Sequence, residues 1–339
     1  MESIINSIKL QIMKTKQLVV LTLALLLSFA GINISAQEVE KISSTTTQLT
    51  FAYPLGTNGT DAMYVSNNFS FNVLYGLNGG LDGIELGGIM NLNKGDVSGF
   101  QLSGIANANL ERTSGLMWAG CVNLSVDEMR GVQLADINTA LDDLTGVQVG
   151  VINYARRLKG VQLGVVNIVG EDNGAVPVGL INIVKGGHYE LELLSGDVIH
   201  TNLNYKMGVE HFYTIYKLGW STYNDNEVYS IGLGIGSMVT ISGKHKLSID
   251  LSNSQIMYND DWNWSDDNYL SKLDINYRLG LGEHVSLVAG PSFNYYVSGV
   301  KVDDQFGTLR IPYDVHTSVH QDKQEWWWVG FNAGLAYRF

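Results

Sequence analysis

A short alternation of apolar and polar residues recurs seven times along the first half of the chain. Successive copies start 16, 16, 16, 15, 14 and 15 residues apart. A short, nearly constant period indicates one structural unit per repeat. The copies are GIELGGIMN (83–91), GFQLSGIAN (99–107), GLMWAGCVN (115–123), GVQLADIN (131–138), GVQVGVIN (146–153), GVQLGVVN (160–167) and AVPVGLIN (175–182).

Each copy has the alternation of a β-strand. In the first copy Ile84, Leu86 and Met90 fall on one face, and Glu85 and Asn91 fall on the other. Period two over about ten residues predicts a strand that is apolar on one side and polar on the other. Helical spacing does not fit, and the many Gly residues would weaken a helix. The four later copies are one residue shorter, which indicates a bulge or a register shift.

Two architectures provide one strand per 14 to 16 residues. A β-solenoid stacks parallel strands and aligns identical Gln and Asn side chains in ladders. An up-and-down barrel uses a strand of about 9 to 11 residues and a turn. The single-strand repeat slightly favours the solenoid, because a meander would more naturally repeat by hairpin. The choice therefore depends on the rest of the chain.

The second half keeps the alternation without the repeat, and places full charges on the polar face. Leu273, Ile275 and Tyr277 alternate with Asp274 and Arg278. The last strand alternates from Trp327 to the end of the chain, where Tyr337 and Phe339 share its apolar face. Such strands favour a membrane barrel with apolar side chains outside and polar side chains inside. A terminal amphipathic strand that ends in an aromatic residue resembles the signal read by the assembly machinery of bacterial outer-membrane barrels.

Short and long connections alternate through the second half, as they do in bacterial barrels. Extending this count over the whole chain predicts a single all-β, up-and-down transmembrane barrel of about 16 antiparallel strands over residues 37–339, with the repeats of 83–185 as strands 3 to 9. The alternative is a β-solenoid of the repeats 83–185 joined to a smaller barrel.

The N-terminus predicts export. Lys14 and Lys16 precede the apolar run QLVVLTLALLLSFAGI, and the small residue Ala36 follows as the expected cleavage position. This pattern is typical of a secretory signal peptide, here residues 1–36, with Met13 as the expected true start. Without this segment the chain has 18 basic and 32 acidic residues, a net charge of −14. The acidic excess disfavours nucleic acid as a partner.

Three stretches carry a resemblance to a known group. They are FNVLYGLNGGLDGIELGGIMNLNKGDVSGFQLSGIAN (71–107), the G-V-Q-φ-G-φ-φ-N copies and TNLNYKMGVEHFYTIYKLG (201–219). Together they resemble the surface-repeat outer-membrane proteins of Bacteroidota, which are Gram-negative. The resemblance implies the cell outer membrane as location, its lipid as surroundings and a β-rich repeat body. It implies no catalytic residues.

Polar residues of the strands are the candidates for lining the barrel lumen. A neutral, amide-rich lining suits small polar solutes, and 16 strands can enclose an aqueous channel. The leading functional prediction is therefore a passive, porin-like channel, for which the acidic balance mildly favours cations. The predicted lining residues are Glu85, Gln101, Gln133, Gln148, Gln162, Lys272, Asp274 and Arg278.

The long connections offer an alternative function, in which outer loops bind a partner and the barrel is an anchor for adhesion or display. One loop concentrates carboxylates and Trp, a combination that suits calcium or glycans, although EF-hand spacing is absent. His316 and His320 have a spacing that zinc could use, but without helical context we predict no metal site. No nucleophile motif appears, so no enzyme and no cofactor are predicted. The loop candidates are Asp260, Asp261, Trp262, Trp264, Asp266 and Asp267.

Overall fold

The computed structural model describes residues 43–223, 226–259, 267–302, 304–311 and 316–339. The predicted signal peptide 1–36 and the expected start at Met13 lie outside these residues. The described chain is almost entirely β-structure, which confirms the all-β prediction. One short 3-10 helix, η1 (Gly59–Tyr64), precedes β3. No helix in the described ranges has the length and apolar content needed to cross a bilayer.

The repeats form a parallel β-solenoid of about eight turns. Each turn contains two short strands that face each other, and each strand pairs with its equivalent in the next turn. At the N-terminal end β1 stacks in parallel on β3, and the short β2 pairs with β1. The strands are β1 (Ser43–Ala52), β2 (Leu55–Gly56), β3 (Val65–Asn78), β4 (Gly80–Gly87), β5 (Met90–Asn93), β6 (Val97–Ser103), β7 (Ala106–Asn109), β8 (Thr113–Ala119), β9 (Val122–Ser125), β10 (Met129–Leu134), β11 (Ile137–Val149), β12 (Ile152–Leu163), β13 (Val166–Val178) and β14 (Ile181–Val184).

Glycine makes this tight stacking possible. The first Gly of six successive copies has a positive φ, which is 133° at Gly99. A Cβ on Gly99 would lie 1.9 Å from the carbonyl oxygen of Gly83, the equivalent residue one turn earlier. A side chain at this position is therefore excluded by both conformation and space. The repeat conserves its geometry from turn to turn because glycine stacks on glycine.

The second half forms a closed antiparallel barrel of eight strands. The first strand closes the barrel by pairing with the last, for example Leu193 with Leu335. Small strands β22 (Lys301–Val302), β23 (Gln305–Phe306) and β24 (His316–Val319) belong to the long segment before the last barrel strand. The barrel strands are β15 (His188–Gly196), β16 (Thr201–Val209), β17 (Phe212–Tyr223), β18 (Asn226–Ser242), β19 (His245–Tyr258), β20 (Asn268–Gly280), β21 (Val285–Ser298) and β25 (Gln324–Arg338).

The structure thus corrects the prediction of one 16-stranded barrel over residues 37–339 and agrees with the alternative of a solenoid joined to a smaller barrel. The error arose from counting each repeat as one wall strand. Each copy contains two strands and a corner, located at Gly88 in the first copy, and the chain then pairs in parallel with the preceding turn. The alternation of short and long connections holds only for the second half, which is the barrel.

The barrel has its apolar side chains outside. Its outward apolar residues are about a third to more than half exposed, from 37% for Leu191 to 61% for Ile241. A polar pair interrupts this belt, where Asn253 donates a 2.8 Å hydrogen bond to Ser271. The members of the apolar belt include Leu193, Leu203, Leu218, Leu233, Ile249, Leu287, Phe293, Val329, Phe331 and Leu335.

The solenoid shows part of this inversion, because polar ladders are buried and many apolar side chains are exposed. The buried ladders consist of Gln and Asn. A set of apolar side chains, such as Met117, Leu144 and Leu158, is nevertheless buried beside the ladders. Where each turn bends between its two strands, a row of mainly apolar residues forms what we call the apolar edge: Ile89, Ile105, Cys121, Asp136, Val151, Val165 and Leu180. The loops opposite form the charged edge, which includes Lys94, Asp96, Glu111, Arg112, Asp127, Glu128, Asp142, Asp143, Arg156, Arg157, Glu171 and Asp172.

The last solenoid turn packs against the outer wall of the barrel. The Asn ladder ends there, because Asn182 donates a 2.9 Å hydrogen bond to the hydroxyl of Thr214 on β17. The same hydroxyl donates to the carbonyl of Gly179 at 2.7 Å. Val209 and Phe212 of the barrel add apolar contacts to the solenoid core. The solenoid and the barrel wall therefore share one continuous hydrogen-bonded and apolar junction.

Candidate functional site

The predicted lumen residues separate into two places. Lys272, Asp274 and Arg278 lie inside the barrel, where they are at most 6% exposed. The other five candidates fill the solenoid core and do not line the barrel, because the repeats coil and do not join its wall. These five are Glu85, Gln101, Gln133, Gln148 and Gln162.

An ion-pair network fills the half of the lumen nearest the short turns. Arg278 donates to Glu192 at 2.5 Å and also pairs with Glu190. Lys206 lies 2.8 Å from Glu192 and 2.7 Å from Asp250. Lys206 and Glu192 are fully buried. Each charged side chain here has an opposite charge within contact distance, which buried ionised groups need.

A second network occupies the other half of the lumen around Asp274. The Lys217 ammonium lies 3.3 Å from its carboxylate, and the Lys272 ammonium lies 3.9 Å away. Ser292 donates a 2.5 Å hydrogen bond to the same carboxylate, and Asn332 donates one at 3.2 Å. These partners come from four strands, so the network joins opposite walls of the barrel.

Apolar residues close the lumen at the end that carries the long connections. Val198 and Ile199, from the connection between β15 and β16, are buried against Tyr296 and Trp328. A later segment folds over the same mouth, where the Thr308 amide donates a 2.8 Å hydrogen bond to the Tyr296 hydroxyl. The Trp328 indole donates to Asp197 at 2.6 Å. Side chains from both connections therefore cover this end.

The short-turn end of the lumen is more polar. Glu210, in the turn between β16 and β17, accepts hydrogen bonds from Lys246 at 2.6 Å and Arg338 at 2.5 Å. Partial burial opposes ionisation of this carboxyl, but the two cations outweigh burial and hold its pKa below the ordinary value. A recess of about 170 Å³ opens at this end, lined in part by His188 and Arg278. The carboxylate of Glu210 is thus paired directly with two cations at this end of the lumen.

The lumen as a whole is filled by its own side chains. Four charged side chains of the networks are at most 6% exposed: Arg278, Lys206, Lys217 and Asp274. Eight-stranded barrels have an interior just wide enough for side chains. The described side chains therefore occupy much of the interior of this narrow barrel.

The solenoid core contains one carboxylate among its amide ladders. Glu85 occupies the ladder position that Gln fills in other turns, and it is fully buried. Asn72 and Asn78 donate to one carboxylate oxygen at 3.0 and 2.5 Å. Asn93 and Gln101 donate to the other, each at 2.7 Å. Burial raises the pKa of Glu85, and the four amide donors offset part of this rise.

Other turns of the solenoid propagate these ladders by simple amide contacts. Gln162 donates to Gln148 at 2.7 Å, and Gln148 donates to Gln133 at 2.7 Å. The Asn row continues in the same way, for example from Asn153 to Asn167 at 3.0 Å. The ladders predicted for a solenoid are present, and they connect side chains within the core.

The remaining candidates lie apart from these networks. Asp260, Asp261, Trp262, Trp264 and Asp266 lie outside the described residues, and Asp267 is exposed at the start of β20. His316 and His320 are exposed near β24. No group of three or more His, Cys, Asp or Glu side chains in the described ranges could hold a metal ion.

The terminal aromatic residues predicted as an assembly signal close the barrel seam. Tyr337 pairs with Leu191 on one side and Val285 on the other. Its ring makes an edge contact with Phe339, with centroids 5.3 Å apart. Both residues are exposed on the outer wall. No protein-family model matches the chain, and no curated protein matches it.

The sequence analysis missed more than half of the charged residues in the lumen network. Glu190, Glu192, Lys206, Lys217 and Asp250 were not among the candidates, although each alternates with outward apolar residues. The signal was available in the segment 188–208, where polar side chains stand at alternate positions, first Glu190 and Glu192 and later Asn202, Asn204 and Lys206. In the structure this segment forms two paired strands, β15 and β16, which present these side chains to one lumen.

Proposed function

We propose that the chain is an integral protein of a bacterial outer membrane, that its barrel is a closed anchor, and that it acts by binding or display and not by passing solutes. The outward apolar belt supports a lipid environment for the barrel, because such a surface would be costly in water. The observation that carries the proposal is the filled lumen, in which the ion pairs around Arg278 and Asp274 occupy the cross-section.

The orientation follows the usual arrangement of bacterial barrels. The short turns at 210–211, 243–244 and 281–284 lie at the same end as both termini of the barrel. Bacterial barrels place short turns in the periplasm and long loops outside. The described residues at the other end, such as Asp267 and His320, would then face the exterior, where a partner can reach them. The apolar wall residues would contact lipid, and Tyr337 and Phe339 would present the seam to the assembly machinery.

A porin-like channel is the competing prediction from sequence, and single-channel conductance separates the two. The purified chain is reconstituted in planar bilayers and compared with the double variant Lys206→Ala/Arg278→Ala, which removes two of the side chains that fill the lumen. A closed anchor gives a silent wild-type protein. Stable, ohmic openings of the wild type would refute the anchor proposal and favour the channel.

A further inference from the structure

The apolar edge of the solenoid is exposed, although an edge of this kind is unfavourable in water. Ile89, Ile105, Val151, Val165 and Leu180 are each 43–49% exposed. The next outward row on the adjoining strand wall is also apolar in every turn, and its Trp118 is 51% exposed. The row comprises Leu49, Phe71, Leu86, Leu102, Trp118, Leu134, Val149, Leu163 and Val178. A continuous apolar surface of this extent marks an interaction site.

The junction with the barrel fixes the direction in which this edge points. Near the short-turn end, His211 contacts the carbonyl of Ala175, which follows the charged loop of the last turn. Further along β17, Thr214 contacts Gly179, and Tyr216 contacts the carbonyl of Leu180. The charged edge of the solenoid therefore lies nearer the short turns of the barrel, and the apolar edge lies farther from them along the barrel wall.

The apolar edge meets the barrel at the level of the barrel's apolar belt. Tyr216 pairs directly with Leu233 on the next strand, and Leu233 is an outward belt residue. Leu180 of the solenoid thus lies at the height of Leu233 on the barrel. The two apolar surfaces are continuous across the junction, and the charged edge lies at the level of the short turns.

We propose that the apolar edge of the solenoid is immersed in the acyl layer of the bilayer that the barrel crosses, in the leaflet on the short-turn side, while the charged edge stays in water. This inference rests on the proposed membrane location of the barrel. The lipid acyl chain is the occupant, because it already covers the belt with which the edge is continuous. The solenoid would be a half-immersed body whose interior combines amide ladders with a buried apolar cluster.

Asp136 limits the depth of immersion. It is the one charged residue of the edge, between Cys121 and Val151. On the lipid face of a barrel, Arg or Lys costs about 2–4 kcal/mol at the midplane but about 0–1 kcal/mol near the interface, and Asp costs less. The edge accordingly occupies the outer part of the leaflet, with Asp136 within reach of water and headgroups.

Cys121 provides a native probe, since it lies on the apolar edge and its side chain is exposed. The full chain is reconstituted in vesicles of phosphatidylcholine and phosphatidylglycerol, and the reaction of Cys121 with a charged maleimide is timed. A charged reagent is disfavoured in the acyl layer, so a thiol immersed there reacts slowly with it. We expect labelling at least about tenfold slower than at Glu111→Cys in a Cys121→Ser background. Glu111 is exposed on the charged edge of the same turn.

A second readout identifies what covers the edge. A bimane fluorophore attached to Cys121 in detergent, before reconstitution, is expected to be quenched by lipids with a nitroxide on the acyl chain. Slow labelling without quenching would mean that protein, such as a second copy, covers the edge, and labelling as fast as at Glu111→Cys would mean water. Either result overturns the inference. Leu233→Cys in the Cys121→Ser background tests the barrel separately: if this probe is neither protected nor quenched, the proposed membrane location itself fails.

Discussion

The buried ion pair between Arg278 and Glu190 leads to opposite predictions for Glu190→Gln in two backgrounds. This substitution should destabilise the wild-type barrel and stabilise the Arg278→Met variant. In the wild type Arg278 pairs with Glu190 and Glu192. Glu192 also has Lys206 at 2.8 Å and Asn204 at 3.2 Å, whereas the other nearby group for Glu190 is His188 at 3.8 Å. Replacing Arg278 by Met therefore leaves Glu190 as the buried carboxylate without a close cation.

The magnitudes follow from what each variant leaves unpaired. Arg278→Met should lower the free energy of unfolding of the barrel by about 3–5 kcal/mol, the usual cost of breaking a buried ion pair. Glu190→Gln alone should cost about 1.5–3 kcal/mol, because it removes one charged hydrogen bond while Arg278 keeps Glu192. In the Arg278→Met background, Glu190→Gln removes the unpaired charge, so it should recover about 1–3 kcal/mol.

The assay is urea unfolding of the four proteins in lipid micelles, followed by Trp fluorescence and by the gel mobility of unheated samples. Arg130→Met is the matched control, since Arg130 is an exposed Arg paired with Glu128. Exposed pairs contribute about 0–1 kcal/mol, so this variant should behave like the wild type. If Glu190→Gln destabilises both backgrounds equally, the two side chains are not coupled and the lumen network has been misassigned.

Three further predictions concern the solenoid and the short-turn end. Because the pKa of Glu85 is raised above its ordinary 4.5, its protonation stabilises the fold at low pH, and this stability is lost as pH rises through the folded pKa. Glu85→Gln should therefore reduce the dependence of the melting temperature on pH. An unchanged dependence would contradict the assignment. Because the pKa of Glu210 is lowered, its stabilisation of the fold is present above pH 4.5 and is lost as pH falls through the folded pKa. In Glu210→Gln the melting temperature should fall less on acidification than in the wild type. An equal fall in both proteins would argue against the pairs with Lys246 and Arg338. Gly99→Ala should cost at least about 1–3 kcal/mol in solenoid unfolding, because its Cβ would lie 1.9 Å from a backbone oxygen; Gly282→Ala, which meets no atom within 4 Å, is the control, and equal stability of the two variants would refute the stacking argument.

The sequence predicts the barrel half well, because its strands are long enough for the alternation to be unambiguous. Lys272, Asp274 and Arg278 are separated from Leu273 and Ile275 by strict period two, and the structure places the first three inside. The closing contacts at the long-loop end could not be predicted in this way. Ile199 and Thr308 belong to connections, and their position over the mouth depends on tertiary packing and not on any local pattern.

The repeat half is harder to predict from sequence, because the chain bends at a corner while the apolar and polar pattern continues through it. Residues 83–93 alternate as one strand would, but the chain bends between Gly87 and Met90, so Ile89 points outward although it shares the parity of Glu85 and Asn91. The same bend explains Asp136, which falls on the apolar edge and not inside a strand. The similarity of successive copies predicts the solenoid better than the alternation does. Parallel stacking brings equivalent residues of the copies together, and antiparallel pairing does not.

Exposed apolar side chains and buried polar side chains occur in both halves, and this arrangement bears on the proposed membrane location. A solenoid in water would bury Ile105 and Val165 and expose Gln101 and Asn167, but the structure has the opposite arrangement. Complete transfer of each such apolar side chain out of water is worth about 1.5–3 kcal/mol. The seven-membered edge and the adjoining nine-membered row therefore represent a large unfavourable exposure unless they are covered. The amide ladders can remain buried because every coil supplies partners to the next. The buried amide ladders and the apolar exterior together support the proposal that apolar surroundings lie beside the barrel as well as around it.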